Sequence, residues 1–183
     1  MTQSIKINSS HILALRVREL AQLFNSMDPT PFLNKDLDPE AERYIESWAT
    51  EFSSRGHFNI TIHLEQWPLD GEPTEMLTGA IHNHFNLKKT RTRSALTQLL
   101  QQGRISLYIG LLFVSICLFL ADVIGNLGSN TGLTIARESL TIVGWVALWR
   151  PLQTFLYDWW PLRRQIRLYE NLSKAQVHVV QAK

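Results

Sequence analysis

Residues 105–121, ISLYIGLLFVSICLFLA, decide the fold, because they form a run of 17 residues without a charged side chain. The apolar character continues beyond Asp122 through Val123 and Ile124. At about 1.5 Å of rise per residue, a helix of this length crosses a hydrocarbon core of about 30 Å. The pattern therefore predicts a first transmembrane helix over residues 105–124.

A second apolar segment, residues 139–160, is interrupted by Arg150 and Pro151. Tyr157, Trp159 and Trp160 lie near its end, and these aromatic residues are typical of a membrane interface. We interpret this segment as a second transmembrane helix that packs against the first. The alternative interpretation is a buried helix of a soluble domain.

The distribution of charge along the chain indicates a topology. Residues 1–87 carry 6 basic and 12 acidic side chains, whereas residues 88–104 carry 5 basic and none acidic. Residues 159–183 carry 5 basic and 1 acidic, and Arg137 is the single basic residue of the connecting segment 125–138. Basic residues concentrate on the cytoplasmic side of membrane proteins. Both termini are therefore predicted to be cytoplasmic, with residues 125–138 as an extracytoplasmic loop.

A cytoplasmic α/β domain of order β-α-β-α is predicted for residues 1–87. Residues 57–64, HFNITIHL, alternate in the manner of a strand, and residues 12–18 favour a weaker strand. Asp38 and Pro39 are typical of a helix start. A helix from there to about residue 53 is expected to bury Ala41, Tyr44, Ile45, Trp48 and Phe52.

The complete fold class is a mixed α/β membrane protein, mostly helical. A second helix of the cytoplasmic domain is expected to begin near Pro73, and residues 88–104 are predicted to form a basic amphipathic juxtamembrane helix. Residues 161–183 are predicted to form a cytoplasmic tail. A sheet of two strands is marginally stable alone, so the domain is expected to associate with another copy or another membrane protein.

Arg150 is the most informative candidate for a functional side chain, because an arginine at the centre of a bilayer costs about 2.5–3.5 kcal/mol on insertion scales. On a helical wheel, Thr154 and Asp158 lie within about 80° of it, which defines an intramembrane polar face. Three interpretations remain open: an anchor that bonds a carbonyl freed by Pro151, a residue that lines an ion path, or a side chain that extends to the membrane interface.

The first span carries small residues along one side, suited to close helix packing. This predicted helix-packing face consists of Ser106, Gly110, Cys117 and Ala121. Basic residues at the cytoplasmic ends of both spans are predicted to contact lipid head groups, in addition to setting the topology. They are Lys88, Lys89, Arg91, Arg93, Arg163 and Arg164.

No metal site, cofactor or nucleic-acid partner is predicted. His57 and His63 are about 20 Å apart along a strand, and His82 and His84 are expected to point about 200° apart on a helix. The sequence has no phosphate-binding loop or paired-cysteine motif. The basic residues that raise the pI to about 8.8 flank apolar segments, which favours a membrane over nucleic acid.

Three segments carry a resemblance to known sequences: LFNSMDPTPF at residues 23–32, DLDPEAERYI at 36–45, and GWVALWRPLQTFLYDWWPL at 144–162. They resemble an uncharacterised family of small bacterial inner-membrane proteins with two transmembrane helices. The resemblance implies a bacterial inner-membrane location and implies no activity.

The leading hypothesis is a non-enzymatic integral membrane protein that acts as an oligomeric or partner-binding module through its cytoplasmic domain. The main alternative is a subunit of an oligomeric ion channel or transporter in which Arg150 faces the path. A third class is an enzyme with an unrecognised site around the segments Asp28 to Asp38 and His57 to His63.

Overall fold

The computed structural model describes residues 10–25, 36–52, 57–67, 73–128 and 130–181. The protein is mostly helical and contains a small parallel sheet of three strands. It divides into two compact units. One combines Met1–Thr92 with Arg164–Lys183 and is called the α/β unit; the other is Arg93–Arg163 and is called the helical unit.

In chain order, the described elements begin with β1 (Ser10–Val17), a 3₁₀ turn (Leu20–Leu23), α1 (Pro39–Glu51) and β2 (His57–Leu64). They continue with α2 (Pro73–Leu127), α3 (Thr131–Ala147), α4 (Trp149–Gln153), a π-helical turn (Thr154–Asp158), α5 (Trp159–Leu172) and β3 (Gln176–Gln181). The two predicted strands and the start of α2 near Pro73 are confirmed.

All three strands are parallel, with β2 in the centre. Leu13 pairs with Ile60 on one side, and Ile62 pairs with Val179 on the other. The prediction of at most two strands was wrong, because residues 161–183 are not merely a tail. They contain the end of α5 and the whole of β3, which joins the sheet through a pairing that no local sequence pattern reveals.

The core of the α/β unit lies between one face of the sheet and parts of α1, α2 and α5. Phe58, Ile60, Ile62 and Leu64 of β2 are at most 1% exposed, as their alternation predicts. Ile45 and Ala49 of α1, Leu77, Ile81 and Phe85 of α2, and Leu168, Tyr169 and Leu172 of α5 belong to the same buried cluster.

Helix α1 begins where the sequence predicts. The Asp38 carboxylate accepts hydrogen bonds from the backbone N–H groups of Glu40, at 2.9 Å, and Ala41, at 3.4 Å, which caps the helix. Pro39 occupies the first turn, where its missing N–H has no cost. The predicted burial of Tyr44 was wrong, since its side chain is 54% exposed.

Helix α2 is a single element of 55 residues, and it contains both the predicted juxtamembrane helix and the first predicted span. Among the described residues, α2 is the one helix that is long and apolar enough to cross a membrane. The second predicted span is not one regular helix. It is divided among α3, α4, the π-helical turn and the first two residues of α5. The break at Leu148 arises because Pro151 cannot donate a hydrogen bond to the Ala147 carbonyl.

Candidate functional sites

The helical unit packs along a stripe of small residues. A Cβ placed on Gly110 would lie 3.1 Å from Leu148 Cδ2 and 3.5 Å from the Ala147 carbonyl oxygen. A Cβ placed on Gly144 would lie 3.2 Å from Cys117 Cβ. These contacts leave no room for larger side chains, so the glycines let α2 approach α3 and α4 closely.

The structure places most of the predicted helix-packing face in this stripe. Gly110, Cys117 and Ala121 are buried, and Ser106 is half-buried. Cys117 is the single cysteine of the chain and is 3% exposed. Cys117 therefore serves as a small packing residue between α2 and α3.

The predicted polar face of the second span is divided between buried and exposed side chains. Thr154 is buried, and its hydroxyl lies 3.3 Å from both the Arg150 carbonyl oxygen and Asp158 Oδ2, the two available acceptors. Arg150 is exposed. Its guanidinium makes no hydrogen bond or ion pair with any residue in the described part of the chain. The structure thus brings Thr154 and Asp158 together, and Arg150 does not join them.

The backbone is irregular around these residues. Leu148 separates α3 from α4, and Thr154–Asp158 form a π-helical turn, an element that frequently occurs at functional sites. Trp159 Nε1 donates a hydrogen bond of 2.7 Å to the Phe155 carbonyl oxygen, which helps to fix this turn.

The six residues predicted to contact lipid head groups have different surroundings. Lys89 is half-buried, whereas Arg91, Arg93, Arg163 and Arg164 are exposed. The Arg163 guanidinium lies 5.5 Å from the centroid of the Trp159 ring, within cation–π range. Lys88 differs, because its ammonium group is paired inside the α/β unit.

A cluster of charged side chains connects α1, α2 and the segment before α1. Its members are Asp36, Glu42, Glu46, His84 and Lys88. His84 Nδ1 lies 3.1 Å from Asp36 Oδ1, and His84 Nε2 lies 3.2 Å from Glu42 Oε2 without hydrogen-bond geometry. Lys88 Nζ pairs with Glu42 and, at 2.6 Å, with Glu46 Oε1. We call this group the polar cluster.

Tyr169 of α5 forms one side of the polar cluster. The Lys88 ammonium lies 5.4 Å from the centroid of its ring. Burial, reinforced by the Glu46 carboxylate and a hydrogen bond to it, raises the pKa of Tyr169 to about 12. Its hydroxyl therefore stays protonated and can act as a hydrogen-bond donor to Glu46.

Burial also changes the acidity of the other members of the polar cluster. It raises the pKa of Glu46, an effect opposed by the hydrogen bond from Tyr169 and the nearby His84. It lowers the pKa of Lys88, with Arg91 adding repulsion. It lowers the pKa of His84 despite the hydrogen bond that His84 donates to Asp36 and despite the charges of Asp36 and Glu46. Desolvation is thus stronger than ion pairing at each of these groups.

The polar cluster contains the kinds of side chain found in acid–base sites, but its histidine is not accessible to a substrate. The His84 side chain is 6% exposed, so a substrate cannot reach the imidazole directly. The cluster therefore holds α1 and α2 together through mixed hydrogen bonds and ion pairs. Sequence reasoning missed it, because its members come from segments that only the packed core brings together.

His82 and His84 do not converge on a common site. His82 Nε2 hydrogen-bonds the Ala175 carbonyl oxygen at 2.7 Å, whereas His84 lies in the polar cluster. Within the described ranges, no group of three His, Cys, Asp or Glu side chains is arranged to hold a metal ion. Asp28, a member of the hypothetical enzyme site, lies outside the described residues.

Comparison with protein-family models, with curated proteins and with solved structures found no match.

Proposed function

We propose that the chain is a non-enzymatic integral protein of the bacterial inner membrane, in which the helical unit spans the bilayer as a two-helix hairpin. Residues 105–124 and 139–160 are the two spans, and both termini are cytoplasmic. The α/β unit acts as a module that binds a second copy of the chain or another membrane protein. The sequence resemblance described above supports the bacterial location.

The observation that carries this proposal is the exposed apolar surface of the helical unit. Only 22% of the most apolar 18-residue window of α2 is buried. Large aliphatic and aromatic side chains face outward along both helical segments, while small residues occupy the contact between them. They include Ile109, Leu112, Phe119, Ile142, Val146 and Leu156, each between 57% and 68% exposed. Lipid covers such a surface without cost, whereas water does not.

The partner-binding role is supported by the second face of the sheet. Parallel sheets are ordinarily covered on both faces. Here Ile12 is 65% exposed on β1 and Val180 is 43% exposed on β3, and both lie on the face away from the buried cluster. In the described part of the chain, each edge strand also has one side without a partner strand. A second copy of the chain packed on this face would cover Ile12 and Val180, and the strand edges offer a further surface for association.

Cysteine accessibility tests the topology. With Cys117 replaced by serine, Gly132→Cys places a thiol in open space near the start of α3, where an added Cβ meets no atom within 4 Å. A membrane-impermeant maleimide should label Gly132→Cys in intact spheroplasts and should label Lys174→Cys only after lysis. Labelling of both variants in intact cells, or extraction of the protein by alkaline carbonate, would overturn the proposed topology.

Assembly is tested by the mass of the purified full-length protein in mild detergent. We expect a dimer or larger oligomer that Ile12→Asp converts to monomer. Arg43→Asp, on the exposed side of α1, is the matched control and should leave the mass unchanged. A wild-type protein that is monomeric and binds no other chain would contradict the partner-binding role.

The second candidate function is an oligomeric ion channel or transporter subunit. The exposed Arg150 side chain favours it, because several copies could enclose this charge between them. Liposome flux that disappears in Arg150→Ala while the oligomer remains intact would support a channel over a non-transporting module.

A further inference from the structure

The cross-helix contacts of the helical unit fix the depth of Arg150 relative to α2. A Cβ placed on Gly103 would lie 2.9 Å from Thr154 Cγ2, so Gly103 and Thr154 are at the same level. Arg104, the last basic residue before the apolar run, follows Gly103 directly. Arg150 precedes Thr154 by four residues, which places its Cα about 6 Å deeper than the level of Gly103.

The middle of the hairpin lies elsewhere. A Cβ placed on Gly144 would lie 3.7 Å from the Cα of Val114, near the midpoint of residues 105–124. Arg150 follows Gly144 by six residues, or about 9 Å toward the end that carries Arg104. Arg150 is therefore closer to the proposed cytoplasmic interface than to the centre of the hairpin, in contrast to the mid-bilayer position expected from the sequence.

Aromatic residues mark the same depth. Tyr108 precedes Gly110, which contacts Leu148 and Pro151, so Tyr108 lies near the level of Arg150. Tyr108 is 73% exposed and Trp149 is 72% exposed. Residues 109–144 contain no Trp or Tyr. All Trp and Tyr residues of the helical unit therefore lie in the half of the hairpin nearer its proposed cytoplasmic end. Exposed Tyr and Trp are characteristic of the interfacial layer.

The chain itself leaves the Arg150 guanidinium available. The Ala147 carbonyl, which Pro151 frees from helical hydrogen bonding, lies against Gly110, 3.5 Å from the position of an added Cβ. The Arg150 carbonyl oxygen is an acceptor for Thr154, whereas the Arg150 guanidinium has no partner among the described residues. A charged group that is exposed and without a partner at this depth is stabilised by an anionic group at the interface.

We propose that Arg150 binds the phosphate group of a phospholipid in the cytoplasmic leaflet. The proposal rests on the membrane location proposed above. The planar guanidinium matches two phosphate oxygens, and its aliphatic stem can lie along apolar surface while the charged end reaches outward. Helical Cα–Cβ bonds tilt toward the helix N-terminus, which in the proposed topology is the end away from the cytoplasmic interface. The Arg150 side chain must therefore bend toward the C-terminal end of its helix to reach that interface. The Cα of Arg150 lies about 6 Å deeper than the level of Gly103, a distance that an extended arginine side chain spans.

Lipid retention by the full-length protein tests the proposal. Protein in a neutral maltoside detergent is titrated with phosphatidylglycerol, and bound lipid is counted by native mass spectrometry. Arg150→Gln should weaken binding of one lipid about fivefold, the effect of roughly one basic residue at a membrane surface. Arg150→Lys should retain most of the binding. Arg137→Gln removes the same charge at the opposite end of the hairpin and should have no effect on that lipid.

Three outcomes would overturn the proposal. The first is equal lipid binding by Arg150→Gln and Arg137→Gln. The second is competition by inorganic phosphate at the concentration of the lipid, which would identify a soluble anion as the ligand. The third is a change from oligomer to monomer in Arg150→Gln with unchanged lipid binding, which would show that a second copy covers the charge. Failure of the membrane location itself is distinguishable, because carbonate would then extract the wild-type protein.

Discussion

The two units of this protein place similar apolar side chains in opposite environments. In the α/β unit, Phe58 and Ile60 are at most 1% exposed, whereas in the helical unit Leu112 is 64% and Phe119 is 68% exposed. The α/β unit buries its large residues and uses polar ones at its surface. The helical unit buries glycine, alanine and cysteine and turns its large residues outward. The contrast supports the proposal that the α/β unit is adapted to water and the helical unit to lipid.

Isoleucine truncation tests this contrast most strongly. Ile60→Ala removes a completely buried side chain from β2 and should lower the free energy of unfolding of the α/β unit by about 2–5 kcal/mol. Ile109→Ala removes a 63% exposed side chain from α2 and should change stability by less than about 0.5 kcal/mol. Chemical denaturation of the full-length protein in mild detergent measures both. Equal losses would mean that the outer surface of α2 is buried in the functional protein.

Glycine enlargement tests the packing inside the helical unit. Gly110→Leu should destabilise the contact between α2 and α4 by about 1–3 kcal/mol, because its Cβ alone would lie 3.1 Å from Leu148. Gly132→Leu is the matched control, since nothing lies within 4 Å of its added Cβ. Detergent denaturation followed by tryptophan fluorescence reports the loss. If both variants unfold like the wild type, α2 does not pack against α4 through this stripe.

Lys88 tests the polar cluster that connects α1 with α2. Lys88→Met keeps most of the side-chain volume but leaves Glu42 and Glu46 without their cation, and it should cost about 1–3 kcal/mol. Lys89→Met, at the next position on α2, should cost less than about 0.5 kcal/mol. Thermal unfolding of the α/β unit by near-ultraviolet circular dichroism distinguishes them. Similar melting temperatures for the two variants would show that the ion pairs contribute no net stability.

Much of the local structure could be predicted because its signals lie close together in the sequence. The alternation of residues 57–64 gave β2 and its buried face, and Asp38 with Pro39 gave the start of α1. Strand β3 could not be predicted in the same way. Its six residues, QVHVVQ, gain their structure from pairing with β2, and residues 65–175 separate the two strands. Val177, Val179 and Val180 favour a strand locally, but nothing near them in the sequence identifies β2 as the partner.

The candidate sites show the same limit. The small-residue stripe was visible because Gly110, Cys117 and Ala121 repeat at helical spacing on one element. The polar cluster was not, because Asp36, Glu42 and His84 come from separate segments whose contact depends on the packed core. From the sequence, the position of Arg150 in the second span could be estimated only from its place within an apolar run. The level of Arg150 relative to Arg104 follows from the contact between Gly103 and Thr154, which the sequence does not reveal.

The pH dependence of stability is the smallest expected effect and tests the titrating groups of the polar cluster. Burial lowers the pKa of His84 in the folded protein below its ordinary value of 6.5. The unfolded chain therefore binds a proton more readily than the folded protein between those two pKa values. Stability should fall as the pH drops below about 6.5 and should level off once the folded protein is also protonated.

His84→Gln should flatten this part of the stability profile, measured by thermal unfolding between pH 7.5 and about 5. Glu46 acts in the opposite direction, because its raised pKa lets the folded protein bind a proton that the unfolded chain releases. His84 lowers the pKa of Glu46, so removing His84 also raises the pKa of Glu46, and the difference between the two profiles reports the coupled pair. His178→Gln, on the exposed face of β3, is the control and should keep the wild-type slope. A slope unchanged in His84→Gln would mean that the imidazole titrates identically in the folded and unfolded chains, and that solvent reaches the cluster holding α1 to α2.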